Sequence, residues 1–99
     1  MSRLHTVNKS PHAAPALADC LRAASPGDIV LLIEDGVYAA ISSSETAALC
    51  RQHALRLYAL QADVEARGLS HCLAEDVELV DDAGFVRLCC AARDLCSWY

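Results

Sequence analysis

The sequence predicts an α/β fold: one small domain with a mainly parallel sheet of four or five strands and helices on both faces. Three observations lead there. Short apolar, partly β-branched runs alternate with stretches of helical periodicity, the pattern of strand–helix–strand units. One run, Ile29-Val30-Leu31-Leu32-Ile33, is apolar without interruption, which suits a central parallel strand covered on both faces. A length of 99 residues fits one domain, so residues 1–99 are read as a single unit. Crossovers between its parallel strands are expected to be right-handed.

Residues 4–7 read as the first strand, broken by Asn8-Lys9-Ser10-Pro11. From about His12 to Ala24 the pattern turns helical. Leu17, Cys20, Leu21 and Ala24 fall at i, i+3, i+4 and i+7, one face of a helix. Ser25-Pro26-Gly27-Asp28 stops that helix and turns the chain into the apolar run. Glu34-Asp35-Gly36 ends the run, and residues 37–41 form a helical turn or short helix packed on the sheet. Ser42 and Glu45 have the spacing of a capping box for a helix reaching about Ala54.

Residues 55–60 are the third strand, followed by a short helix over residues 61–67 with Gly68 as its C-cap. Residues 77–80 are the fourth strand. Asp81-Asp82 caps a last helix on which Phe85, Val86, Cys89 and Ala92 share a face. The tail, residues 95–99, either adds a short edge strand or docks on a partner. In folds of this kind, sites gather at the carboxyl ends of the strands. Those ends are the loop at residues 8–11, the loop at residues 34–36, the region after Leu60, and residues 81–84.

Charge narrows the function. Eight basic against thirteen acidic side chains leave a net charge of −5, and Lys9 is the single lysine. A chain gripping nucleic acid needs a basic stripe that displaces counterions. None is present, so no direct nucleic-acid partner is expected. The acidic balance also disfavours an anionic membrane surface. The apolar run of residues 29–33 is far short of the roughly 18 residues a helix needs to span a bilayer, and the opening residues lack the apolar core of a signal peptide. The chain is expected in the cytoplasm, with its six cysteines reduced. Hydrophobic residues make up 55%, above the average for a small domain, which points to subunit contacts. Residues 37–41 and the Trp98-Tyr99 end are candidates for such contacts, with ordinary core packing as the alternative.

Several chemistries find no support. Gly27, Gly36, Gly68 and Gly84 stand far apart, whereas phosphate-cradling loops need clustered glycines. This argues against nucleotide cofactors. No C-x-x-C pair marks a metal site, and no nucleophile elbow marks a hydrolase. No cofactor is expected. The cysteines remain. Cys89 reads as a small core residue. Cys20 lies on the apolar stripe of the first helix, away from a helix N-terminus or a neighbouring cation, the features that lower a thiol pKa. If it reacts, its activation comes from a folded-over loop carrying His5, Lys9 or His12, or from another subunit.

The opening Leu4-His5-Thr6-Val7-Asn8-Lys9-Ser10-Pro11 resembles the TusB family, also called DsrH. Gly27-Asp28 through Leu31-Leu32, then Glu34-Asp35-Gly36-Val37-Tyr38-Ala39-Ala40, match a second block of that family. Tyr58-Ala59-Leu60, Asp63 and Ala66-Arg67-Gly68 match a third, and Val80-Asp81, Gly84-Phe85-Val86-Arg87-Leu88 and Ser97-Trp98 a last. The resemblance spans nearly the whole chain in register. It implies the DsrE/DsrF/DsrH-like α/β fold. It further implies a heterohexameric sulfurtransferase complex with TusC/DsrF-like and TusD/DsrE-like sister subunits. That complex passes persulfide sulfur to a small TusE/DsrC-like carrier protein. In many bacteria the route ends in 2-thiolation of the wobble uridine of tRNA; in sulfur oxidisers the related DsrEFH complex serves dissimilatory sulfur metabolism. A purely structural subunit is a further alternative.

The resemblance also bears on Cys20. Some family members carry a cysteine in the context found here, Leu17-Ala18-Asp19-Cys20-Leu21, and others lack it. Cys20 is thereby a candidate persulfide carrier, while the principal sulfur-carrying cysteine is expected in the TusD/DsrE-type subunit. Asp82 departs from the aromatic residue usual in the family at that place.

Overall fold

The computed structural model describes residues 2–99. The strands are β1 (Arg3–Val7), β2 (Ile29–Leu32), β3 (Arg56–Leu60), β4 (Glu78–Val80) and β5 (Asp94–Trp98). The helices are α1 (Ala16–Ala23), α2 (Thr46–Gln52), α3 (Gln61–Ala66) and α4 (Asp82–Ala91), with a 3₁₀ segment over Glu34–Ala40. The five strands pair in the order β4-β3-β2-β1-β5, every pair parallel. The uninterrupted apolar run sits at the centre, as its composition predicts. Val30, Leu31 and Leu32 have no solvent exposure, because a parallel strand with helices on both faces has no wet side.

Strand alternation divides the core in two. Val7, Val30, Leu32, Leu57 and Ala59 face one layer, which α1, α2, α3 and the 3₁₀ segment cover with Leu17, Cys20, Ala47, Cys50, Val64 and Val37. Leu4, Leu31 and Tyr58 face the other layer, where α4 packs Phe85, Leu88 and Cys89 against them. Among the described residues, one ten-residue helix therefore closes that second face by itself. It is held at its start by Asp81, whose carboxylate accepts the Gly84 N–H at 2.7 Å. Replacing Asp81 by alanine removes this cap and is expected to cost about 1 kcal/mol. Urea unfolding measures it, and a loss of only a few tenths would show the cap to be idle.

The structure shifts several sequence expectations. Helix α1 starts at Ala16, not near His12, because Pro15 disfavours a helical conformation at Ala14 before it. The capping box between Ser42 and Glu45 does not form. Glu45 itself occupies the cap position without a side-chain bond, and the Thr46 N–H is taken by the Ser44 hydroxyl at 3.2 Å. Gly68 does close α3: its φ of 67° is the left-handed conformation a helix exit favours. Of residues 37–41, Val37, Ala39 and Ala40 are core, leaving Tyr38 as the exposed member. The tail resolves into an edge strand, with Arg3 opposite Asp94 and Val7 opposite Trp98.

Candidate functional site

Helix α1 turns Ala16, Leu17 and Cys20 inward. Cys20 has 0% exposure. Burial, then the nearby Cys50, Cys96 and Asp28, push its thiol up to about 12. At neutral pH about one such thiol in 10⁵ is ionised, and the thiolate is the nucleophilic form. As folded, Cys20 is thus both sealed and protonated.

His5, offered by the sequence as an activator, is committed elsewhere. It is buried on β1, with Nε2 2.9 Å from the Asp28 carboxylate. On its other side the Trp98 indole N–H donates to Nδ1 at 3.1 Å, the two rings lying 6.2 Å apart at 30°. An indole N–H can only donate. Nδ1 therefore accepts, and Nε2 carries the proton given to Asp28. The Asp28 carboxylate also accepts the backbone N–H groups of Arg3 and Ser25, each at 3.0 Å. Burial pushes its pKa up, but the bonds from Ser25, His5 and Arg3 outweigh that and hold the carboxyl down at about 2. Cys96 lies opposite His5 in the β1–β5 register. Cys20, Cys96, His5, Asp28 and Trp98 thus gather at the corner formed by α1, β1 and β5.

This grouping was not visible in the sequence, which offers His5 only as one residue of a loop folded over Cys20. The available signal was its place between Leu4 and Val7: in a strand covered on both faces, every position is buried and a polar one needs partners. The partners come from 23 and 93 residues away, a separation that periodicity does not bridge.

The carboxyl ends of the strands carry an ion-paired rim. The Asp63 carboxylate accepts the Glu34 N–H at 2.7 Å. Arg67 holds Asp35 at 2.9 Å and donates to the Asp63 carbonyl oxygen at 3.2 Å. These groups satisfy one another and tie the 3₁₀ segment to α3. A cavity of about 430 Å³ opens between α1 and α2, lined among others by His12, Leu17, Leu21, Tyr38, Ser44 and Leu49. Cys20 does not line it.

The remaining thiols are scattered. Cys50 is buried, which raises its pKa to about 11. Burial, then Cys90, raises Cys89 as well. Cys72 donates to the Leu69 carbonyl at 3.4 Å. Cys90 is exposed and Cys96 half-buried. Among the described residues, no three His, Cys, Asp or Glu side chains come together to hold a metal ion.

Residues 9–94 match the family described as "DsrH like protein". The chain belongs to the DsrH/TusB family. This DsrH/TusB member is 37% identical over 95 residues to "Protein TusB" of Escherichia coli K12, covering 96% of the chain and 99% of that protein. It is 41% identical over 85 residues to "Protein TusB" of Sodalis glossinidius, covering 86% and 88%. Its fold is that of the ychN protein of Escherichia coli, with a TM-score of 0.79, 14% identity, and coverage of 98% and 99%. A protein of unknown function, MTH1491 from Methanobacterium thermoautotrophicum, shares the fold at a TM-score of 0.62 and 18% identity, covering 90% and 89%. Family membership supports a sulfur-relay role in general. Among the described residues of this DsrH/TusB member, no helix is long and apolar enough to cross a membrane.

Proposed function

We propose that this chain is a non-carrying subunit of a cytoplasmic sulfur-relay complex, built with TusC/DsrF-like and TusD/DsrE-like sister subunits. The complex passes persulfide sulfur to a small TusE/DsrC-like carrier, for 2-thiolation of the wobble uridine of tRNA. Likeness to TusB over nearly the whole length supports the relay. The observation that carries the non-carrying role is the state of Cys20. Thiol–persulfide exchange depends on thiolate fraction and access, and Cys20 has no exposure and a raised pKa. The chain's part is then to shape the complex and the surface on which the carrier docks. The acidic balance, net −5, suits protein partners better than tRNA.

The test is intact-protein mass spectrometry of the co-purified complex after exposure to a persulfide donor, wild type beside Cys20→Ser. Extra sulfur is expected on a sister subunit in both samples and not on this chain. Sulfur on this chain that disappears in Cys20→Ser would make Cys20 the persulfide carrier. Removing the chain from its host is expected to abolish wobble 2-thiouridine. Unchanged thiolation with impaired sulfur oxidation would move the complex to the dissimilatory, DsrEFH-type role.

A further inference from the structure

Strand β5 covers α1 from the edge of the sheet. Its residues alternate: Leu95 points out, 58% exposed, while Cys96 and Trp98 are half-buried. Cys96 stands opposite His5 and Trp98 opposite Val7, both buried residues of β1. Trp98 packs against the core layer that contains Cys20 and Leu17, and Cys96 lies close enough to Cys20 to disfavour its thiolate. What seals Cys20 on this side is therefore β5.

The hold on β5 is one-sided: a ladder of five residue pairs to β1. As an edge strand it has a backbone ladder only toward β1. Beyond that ladder, the Thr6 hydroxyl donates to the Ser97 hydroxyl at 3.3 Å, and the Arg93 N–H donates to the Ser2 carbonyl at 2.9 Å. Arg3 and Asp94 form an exposed ion pair at 3.7 Å, the kind that contributes little. Among the described residues, the one side-chain bond from β5 into the buried interior is the Trp98 indole N–H on His5. His5 is in turn fixed by Asp28, so the acceptor is a rigid group oriented to receive that N–H. If the bond breaks while β5 stays down, Nδ1 is left buried without a donor, which opposes partial loosening.

We propose that β5 is a strap over Cys20, latched by the Trp98 indole on His5, and that Cys20 meets solvent or a partner's thiol only when this strand lifts from β1. Local opening of an edge element is far easier than unfolding the central strands. The strap concerns thiol access in this chain alone and stands apart from the sulfur-relay reading. If sulfur does pass through Cys20 in the assembled complex, lifting of β5 is the step that controls it.

The test measures alkylation of native protein by iodoacetamide, cysteine by cysteine, in wild type and Trp98→Phe. Phenylalanine keeps an aromatic ring over the core but has no N–H to donate. Cys50 is the internal reference: it lies near Cys20 in the same core layer and is 1% exposed, but its helix α2 packs against β3 rather than β5. Trp98→Phe is expected to speed modification of Cys20 roughly tenfold, the effect of one hydrogen bond on an opening equilibrium, with Cys50 unchanged. Equal acceleration of Cys20 and Cys50 would mean that both react through global unfolding, and no acceleration would mean that the indole bond latches nothing; either overturns the strap. Hydrogen exchange on the unchanged protein is a second test that needs no variant to fold. The amides of β5 should exchange through openings smaller than those that expose β2, and equal protection of the two strands overturns the proposal.

Discussion

Gly36→Ala is expected to destabilise the fold by about 3 kcal/mol or more, a large share of the roughly 5–15 kcal/mol that holds a domain together. The reason is contact, not conformational freedom. A Cβ at Gly36 would lie 2.1 Å from the Val7 carbonyl oxygen and 2.9 Å from its carbon. Both are backbone atoms at the end of β1, so no side chain can swing aside. The segment is also pinned at its start. Ile33 donates its N–H to the same Val7 oxygen at 3.0 Å, and Gly36 donates its own to the Ile33 oxygen at 2.8 Å. Relief requires moving the 3₁₀ segment off the sheet, which uncovers Val37, Ala39 and Ala40, all buried. Chemical unfolding followed by circular dichroism measures the loss. A loss under about 1 kcal/mol would show that the segment shifts freely.

Asp28→Asn carries the second large effect, about 2–3 kcal/mol. The carboxylate accepts from three donors, the N–H groups of Arg3 and Ser25 and the His5 ring. An amide has one acceptor oxygen, and its NH₂ would face a donor in a site that is 4% exposed. The same residue sets a pH dependence whose sign follows from its depressed pKa. Folding holds the carboxyl at about 2 against an ordinary 3.8. The stability it contributes is complete above pH 3.8 and is lost as pH falls toward 2, about 2 kcal/mol in all. Unfolding free energies measured across that window should fall steeply in wild type and less in Asp28→Asn. Identical slopes in the two proteins would place the acid sensitivity at other carboxylates.

Much of this architecture is written locally. The run at residues 29–33 announces a strand covered on both faces because no polar residue interrupts it. The apolar stripe of Leu17, Cys20 and Leu21 announces a helix packed on that sheet, and Gly68 announces the end of α3. Local signals fail where several endings compete. Ser42, Ser43, Ser44, Glu45 and Thr46 offer more than one cap, and the chain uses the Ser44 hydroxyl without the reciprocal carboxylate bond. The proline at 15 shortens α1 against a periodicity that runs further back.

The candidate site divides in the same way. That Cys20 sits on an inward helix face follows from 3.6-residue periodicity, and so does its burial. The family to which the chain belongs is legible from blocks of sequence spread along its length. Which groups surround that thiol is another matter. Sequence proximity suggests His5, Lys9 and His12; the fold instead brings Cys96 and Asp28, and gives His5 to Trp98. Short-range preferences are fixed by steric and hydrogen-bonding rules within a turn or two of chain. Strand order is fixed by which edge of the sheet buries the most apolar surface, a property of the whole domain. Alone, the sequence determined one α/β domain, its central strand and the inward face bearing Cys20. Only the tertiary structure decided that β5 closes over that face beside β1, because the bond between His5 and Trp98 joins residues 93 positions apart and exists only once the sheet has assembled.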